Sequence, residues 1–200
     1  VLLVFAVGAN GAVVGSGMVD IPIPTVSPGL SINLVTGETS TTADTPDGWD
    51  VQISGSLVFS ANTFRPGREA GLVSRVNRRV PGTYNLPLGF EVGPNLPYLN
   101  GQQPTDVSDK PDLDQQYNWS FPGGANYVGI KFWNEATSAY HYGWMRFCVS
   151  GNLSIPPRAL VEYAYESTPD TPILVGAGGD GSPSDCGSSG LTEIVAPYCI

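Results

Sequence analysis

Glycine and proline interrupt this chain so often that no window sustains a helical apolar period. The sequence holds 25 Gly and 18 Pro in 200 residues, with short apolar runs recurring between them. Proline removes a backbone donor, and glycine carries the largest ordering entropy, so both disfavour helix interiors. The pattern predicts an all-β chain, an antiparallel β-sandwich or jelly-roll-like fold with long Gly/Pro-rich loops. Predicted strands run over residues 1–7, 12–23 with an interruption, 31–35, 51–60, 71–76, 84–90, 127–132, 139–149 and 160–166, with 191–195 as a further terminal strand. Residues 40–49 and 96–116 read as loops. Ile21-Pro-Ile-Pro lacks two ladder donors and is expected at a sheet edge or a crossing between sheets. The length suits one core. Residues 1–177 are expected to form a single domain, with residues 1–11 a donor or central strand and 178–200 a Gly/Ser-rich tail.

Period-two alternation assigns faces within the aromatic strand Ala139–Val149. Gly143, Met145, Phe147 and Val149 fall on one side and are expected to meet the core. Tyr140, Tyr142, Trp144 and Arg146 fall on the other, where the rings require a cover: a flanking loop, a subunit contact or a glycan stacked on an aromatic platform.

Composition excludes some partners. The formal charge is −9 and only 14% of residues are charged, against about 25% in typical globular domains. Nucleic-acid affinity rests on Lys and Arg neutralising phosphates, so no nucleic acid is expected. Arg65, Arg68, Arg75, Arg78 and Arg79 cluster and read as a solvated loop or a contact with an acidic patch. Sparse charge with abundant turn formers suits an extracellular protein.

The segment Val1, Leu2, Leu3, Val4, Phe5, Ala6, Val7 followed by Gly-Ala-Asn-Gly-Ala resembles the end of a signal-peptide apolar region, without an initiator Met or basic start. Seven residues are too few for a helical membrane span. As a strand apolar on both faces, it must be covered on both faces. It is expected as a central strand or as a strand donated to a neighbouring copy.

Three cysteines cannot all pair within one chain. Cys186 and Cys199 close a short loop in the tail and are the expected disulfide, with Cys148 a buried thiol; Cys148 with Cys199 is the competing pair. Asp106, Asp109, Asp112 and Asp114 place four carboxylates within nine residues, a candidate calcium loop that lacks EF-hand spacing and has Lys110 among its acids. Otherwise no cofactor is expected.

Catalytic signatures are sparse. The single histidine, His141, reads as a strand histidine at the core margin, and no Gly-x-Ser-x-Gly elbow is present. Glu162 and Glu166 share a strand face but lie roughly 13 Å apart, too far for a glycosidase pair, and read as solvated acids. Asp20, Asp50 and Glu91 read as scattered. Asn118-Trp-Ser and Asn152-Leu-Ser match the N-glycosylation triplet.

Several ordered pieces carry a resemblance: Gly17-Met-Val-Asp-Ile-Pro-Ile-Pro, Gly29-Leu-Ser-Ile-Asn-Leu-Val-Thr-Gly and Gly48-Trp-Asp, then Tyr127-Val-Gly-Ile-Lys-Phe, Tyr140-His-Tyr-Gly-Trp, Tyr163-Ala-Tyr-Glu and Pro172-Ile-Leu-Val-Gly-Ala. In these the chain resembles secreted bacterial all-β proteins of unassigned function that often carry a PEP-CTERM sorting signal. The resemblance leaves roughly residues 60–120 unmatched, and no such signal occurs in residues 178–200. It implies export and an all-β fold and carries over no catalytic residue.

Two functions are therefore expected, neither of them enzymatic. The first is a secreted structural protein that associates with copies of itself at the cell surface or in an extracellular filament, by donor-strand exchange. The alternative is an extracellular carbohydrate-binding module that holds polysaccharide on Tyr140, Tyr142 and Trp144.

Overall fold

A computed structural model describes residues 11–24, 28–56, 61–74, 83, 85–100, 105–108, 125–149 and 158–180. All regular structure in them is β. In chain order the strands are β1 (Val13–Gly15), β2 (Ile21–Pro22), β3 (Leu30–Ile32), β4 (Thr39–Ser40), β5 (Val51–Ser56), β6 (Ala61–Pro66) and β7 (Gly71–Val73). They continue with β8 (Glu91–Val92), β9 (Tyr98–Asn100), β10 (Thr105–Ser108), β11 (Ala125–Asn134), β12 (Ala139–Val149), β13 (Arg158–Glu166) and β14 (Ile173–Leu174).

Two antiparallel sheets carry the fold. The larger has the order β1-β13-β12-β11-β7-β9, with β2 also paired to β13; the smaller has the order β10-β6-β5-β3-β4. The expected Ile-Pro-Ile-Pro edge is observed, since Pro22 faces Ala159 and Ile21 faces Leu160 along the outer side of β13. At the other end of that side, Val13 faces Glu166 and Gly15 faces Ala164.

The main core lies between the sheets. Leu30, Ile32, Val51, Ile53 and Phe64 of the smaller sheet meet Leu72, Val128, Ile130, Phe132, Met145, Phe147 and Leu160 of the larger. Phe64 and Phe147 bridge the layers edge to face, with centroids 5.2 Å apart. Met145 and Phe147 point inward, as period-two alternation requires.

A second apolar layer covers the outer face of the large sheet. Strands β8 and β14 form a short ribbon, and Leu86, Val92, Ile173 and Val175 pack on Tyr127, Tyr142, Trp144 and Ala164. Gly129, opposite Trp144 in the register, makes room for this cover. A Cβ there would meet Val73, Leu86 and Val92 at 2.7–2.9 Å, closer than packed side chains tolerate.

Some expected boundaries change. Residues 85–90 form a turn, not a strand, because Pro87 lacks a donor and Gly89 has a positive φ of 76°. The expected loop at 96–116 contains β9 and β10, strands too short to show alternation. Of the expected strand over 51–60, residues 51–56 form β5 and 57–60 lie outside the described residues; β6 pairs beside it with Val51 opposite Pro66.

Candidate functional site

Three connections converge at one end of the sandwich and leave an open cleft of about 370 Å³. It is lined by Gly48, Trp49 and Asp50 before β5, by Arg68, Glu69 and Ala70 between β6 and β7, and by Trp133 and Glu135 where β11 turns into β12. The β6–β7 connection passes from the small sheet to the large one, so the cleft straddles both layers.

Local hydrogen bonds fix this end. Asn33 Nδ2 donates to the carbonyls of Asp47 and Gly48 at 2.9 and 3.1 Å, and its Oδ1 accepts the N–H groups of Val35 and Thr36. One side chain thus joins the loop before β5 to the turn after β3, as Asn does in local backbone-mimicking turns. Gly67 N–H donates to the Asp50 carbonyl at 2.7 Å, which anchors the turn carrying Arg68 and Glu69.

Asp50 is the most buried polar residue lining the cleft, with 3% of its surface exposed. Its Oδ2 accepts the Leu34 N–H at 2.7 Å. Burial pushes its carboxyl up to about 8; the Leu34 hydrogen bond opposes the shift, and the nearby Glu135 charge adds to it. Trp49 and Trp133 are half-buried, while Arg68, Glu69 and Glu135 are exposed. Arg68 makes no ion pair with a described carboxylate. Trp133 abuts Tyr140 edge to face at 5.1 Å, and the Lys131 ammonium lies 4.8 Å from the Tyr140 ring and 5.3 Å from the Tyr98 ring. The arrangement offers two indoles, carboxylate acceptors, a guanidinium donor and a neutral acid within one concavity.

The expected aromatic platform is not an open surface. Tyr140 is half-buried, but Tyr142 and Trp144 are 3% and 0% exposed beneath the second apolar layer. Trp144 Nε1 donates to the Ala177 carbonyl at 3.0 Å, and Tyr127 meets its ring edge to face at 5.7 Å. The cover comes from residues 86–96 and 173–177 of the same chain.

Glu162 and Glu166, expected as solvated acids, are buried, Glu162 beside Gly179 and Glu166 beside Gly11 and Thr168. Glu162 Oε1 lies 2.9 Å from Arg146 Nε, and its Oε2 accepts the Asp180 N–H at 3.0 Å. His141 is fully buried with a partner at each ring nitrogen: Thr137 Oγ1 is 2.8 Å from Nε2 and the Glu166 carbonyl is 2.7 Å from Nδ1. A carbonyl only accepts, so Nδ1 carries hydrogen and His141 acts as a strut.

The remaining expected sites fall mostly elsewhere. Asp106 sits in β10 opposite Thr63, while Asp109, Asp112 and Asp114 lie outside the described residues. Among the described residues no group of three or more His, Cys, Asp or Glu is placed to hold a metal, and no helix is long and apolar enough to cross a membrane. Cys148 is half of a disulfide. Cys186 and Cys199, the apolar segment Val1–Val7, the glycosylation triplets at Asn118 and Asn152, and Arg75, Arg78 and Arg79 lie outside the described residues.

The cleft residues were not grouped by sequence reasoning. The one local signal is Gly48-Trp-Asp, where an acid follows an exposed turn and directly precedes an apolar strand. Nothing near it in sequence announces Trp133 or Glu135. No protein-family model matches the chain, and neither curated proteins nor solved structures contain a match.

Proposed function

We propose that the protein is an exported carbohydrate-binding domain whose site is the cleft between Trp49 and Trp133. The observation that carries this reading is the convergence of two half-buried indoles with Arg68, Glu69 and Glu135 in one open concavity. Binding sites commonly combine apolar walls with a few oriented polar groups. Indole faces present a flat apolar surface to the C–H faces of a sugar, while carboxylates and a guanidinium exchange hydrogen bonds with its hydroxyls. A low fraction of charged residues and the resemblance to secreted all-β proteins support export.

The test is retention on a panel of insoluble glycans, with calorimetry on soluble oligosaccharides. Trp49→Ala and Trp133→Ala are each expected to weaken binding tenfold or more while the protein stays folded by circular dichroism. Absence of binding across the panel, or full affinity in both variants, rules the reading out.

A second reading, self-association, is favoured by one observation. Strand β1 forms a terminal edge of the large sheet among the described residues, and its Val13 and Val14 are 38% and 41% exposed. Open apolar edges pair readily with a further strand. Sedimentation velocity is expected to show concentration-dependent assembly that Val14→Lys reduces; a monomer at all concentrations removes this reading.

A further inference from the structure

We propose that Asp50 faces the ligand as a neutral acid, and that its Oδ1–H donates a hydrogen bond to an uncharged ligand oxygen at the floor of the cleft. This rests on the carbohydrate-binding reading and specifies which chemistry the site selects. The acceptor is a hydroxyl, ring or glycosidic oxygen, or the carbonyl of an N-acyl group.

Geometry supplies the first argument. The Asp50 side chain is almost wholly enclosed yet lines the cleft. Its Oδ2 is committed to the Leu34 N–H, and no described donor meets Oδ1. A carboxylate in that position would hold its charge on one backbone hydrogen bond, away from bulk water. Unpaired buried charge is costly, and proton uptake is the usual relief.

The surroundings supply the second. The charged groups that share the cleft with Asp50 are Glu135 from the β11–β12 turn and Arg68 and Glu69 from the β6–β7 connection, and of these Glu135 acts on the Asp50 carboxyl. Tyr163 faces it from β13, and its phenol is raised by burial first, then by Tyr165 and Asp50. Glu135 disfavours a second negative charge beside it, and Arg68 sits on the exposed rim. The acid is therefore mostly protonated at neutral pH, with its midpoint raised to about 8. A ligand oxygen placed against Oδ1 then receives a hydrogen bond from the acid.

The experiment measures calorimetric affinity from pH 5.5 to 9.5 for the tightest binder among cellohexaose, xylohexaose, mannohexaose and chitohexaose, with circular dichroism in the same buffers. Wild-type affinity is expected to hold below neutrality and to fall toward tenfold per pH unit above about 8. Asp50→Asn keeps an acceptor for Leu34 N–H and a neutral donor for the cleft. It is read by the shape of its pH profile rather than by its affinity at one pH, and it is expected to lose the alkaline fall. A flat wild-type profile with binding intact overturns the inference and leaves the carbohydrate reading standing. An unchanged fall in Asp50→Asn also overturns it, because the titration then belongs to another group. Failure of all four oligosaccharides and of the insoluble panel overturns both.

Discussion

Asp50 takes up a proton on folding, and its stability effect has a definite sign. The carboxyl titrates near 3.8 when solvated and near 8 when buried. Below pH 3.8 it is neutral in both states and carries no ionisation penalty. As pH rises toward 8, only the unfolded chain releases the proton, so stability declines by about 1.4 kcal/mol per pH unit. Asparagine has no proton to exchange. Asp50→Asn is therefore expected to exceed wild type by about 3 kcal/mol at pH 6, with the gap widening up to pH 8. Urea titrations at pH 4, 6 and 8 read this directly, and a pH-independent gap contradicts it. Little of this was legible in Trp49-Asp50-Val51, because the upward shift of Asp50 depends partly on the charge of Glu135, distant in sequence. His141 was better indicated: its strand position followed from alternation, though its bonds to Thr137 and Glu166 did not.

Pairs of strands set the next level of cost. Arg146 and Glu162 are direct cross-strand partners on β12 and β13, buried to 1% and 2% exposure. Arg146 Nη2 also lies 3.2 Å from Met18 Sδ. A buried pair gains little overall because each charge loses its hydration, yet removing one partner leaves the other without compensation. Arg146→Met alone is expected to cost about 3–5 kcal/mol, and adding Glu162→Leu to recover most of that loss. Denaturant melts of both singles and the double complete the cycle; additive losses exclude such coupling. The sequence assigned Arg146 to the face opposite Met145 and Phe147, where it required a cover. It misread Glu162 as a solvated acid and left the cover open among a loop, a subunit and a glycan, because β8 and β14 are two-residue strands that lack a period of their own.

Across the molecule, the inner core was the most legible part. Long alternating runs in β11, β12 and β13 define both faces of the large sheet, and the proline pair at residues 22 and 24 marked its edge. The cleft was not legible, because turns from three distant parts of the chain meet there and no single window contains them. The same topology bears on biosynthesis. Strands β11, β12 and β13 follow one another and can pair as soon as they emerge from the ribosome. Ala12, by contrast, exchanges hydrogen bonds with Ser167, 155 residues later. Strand β1 therefore waits through some 155 residues of synthesis, and for that interval Val13 and Val14 lack the partner that will hold them.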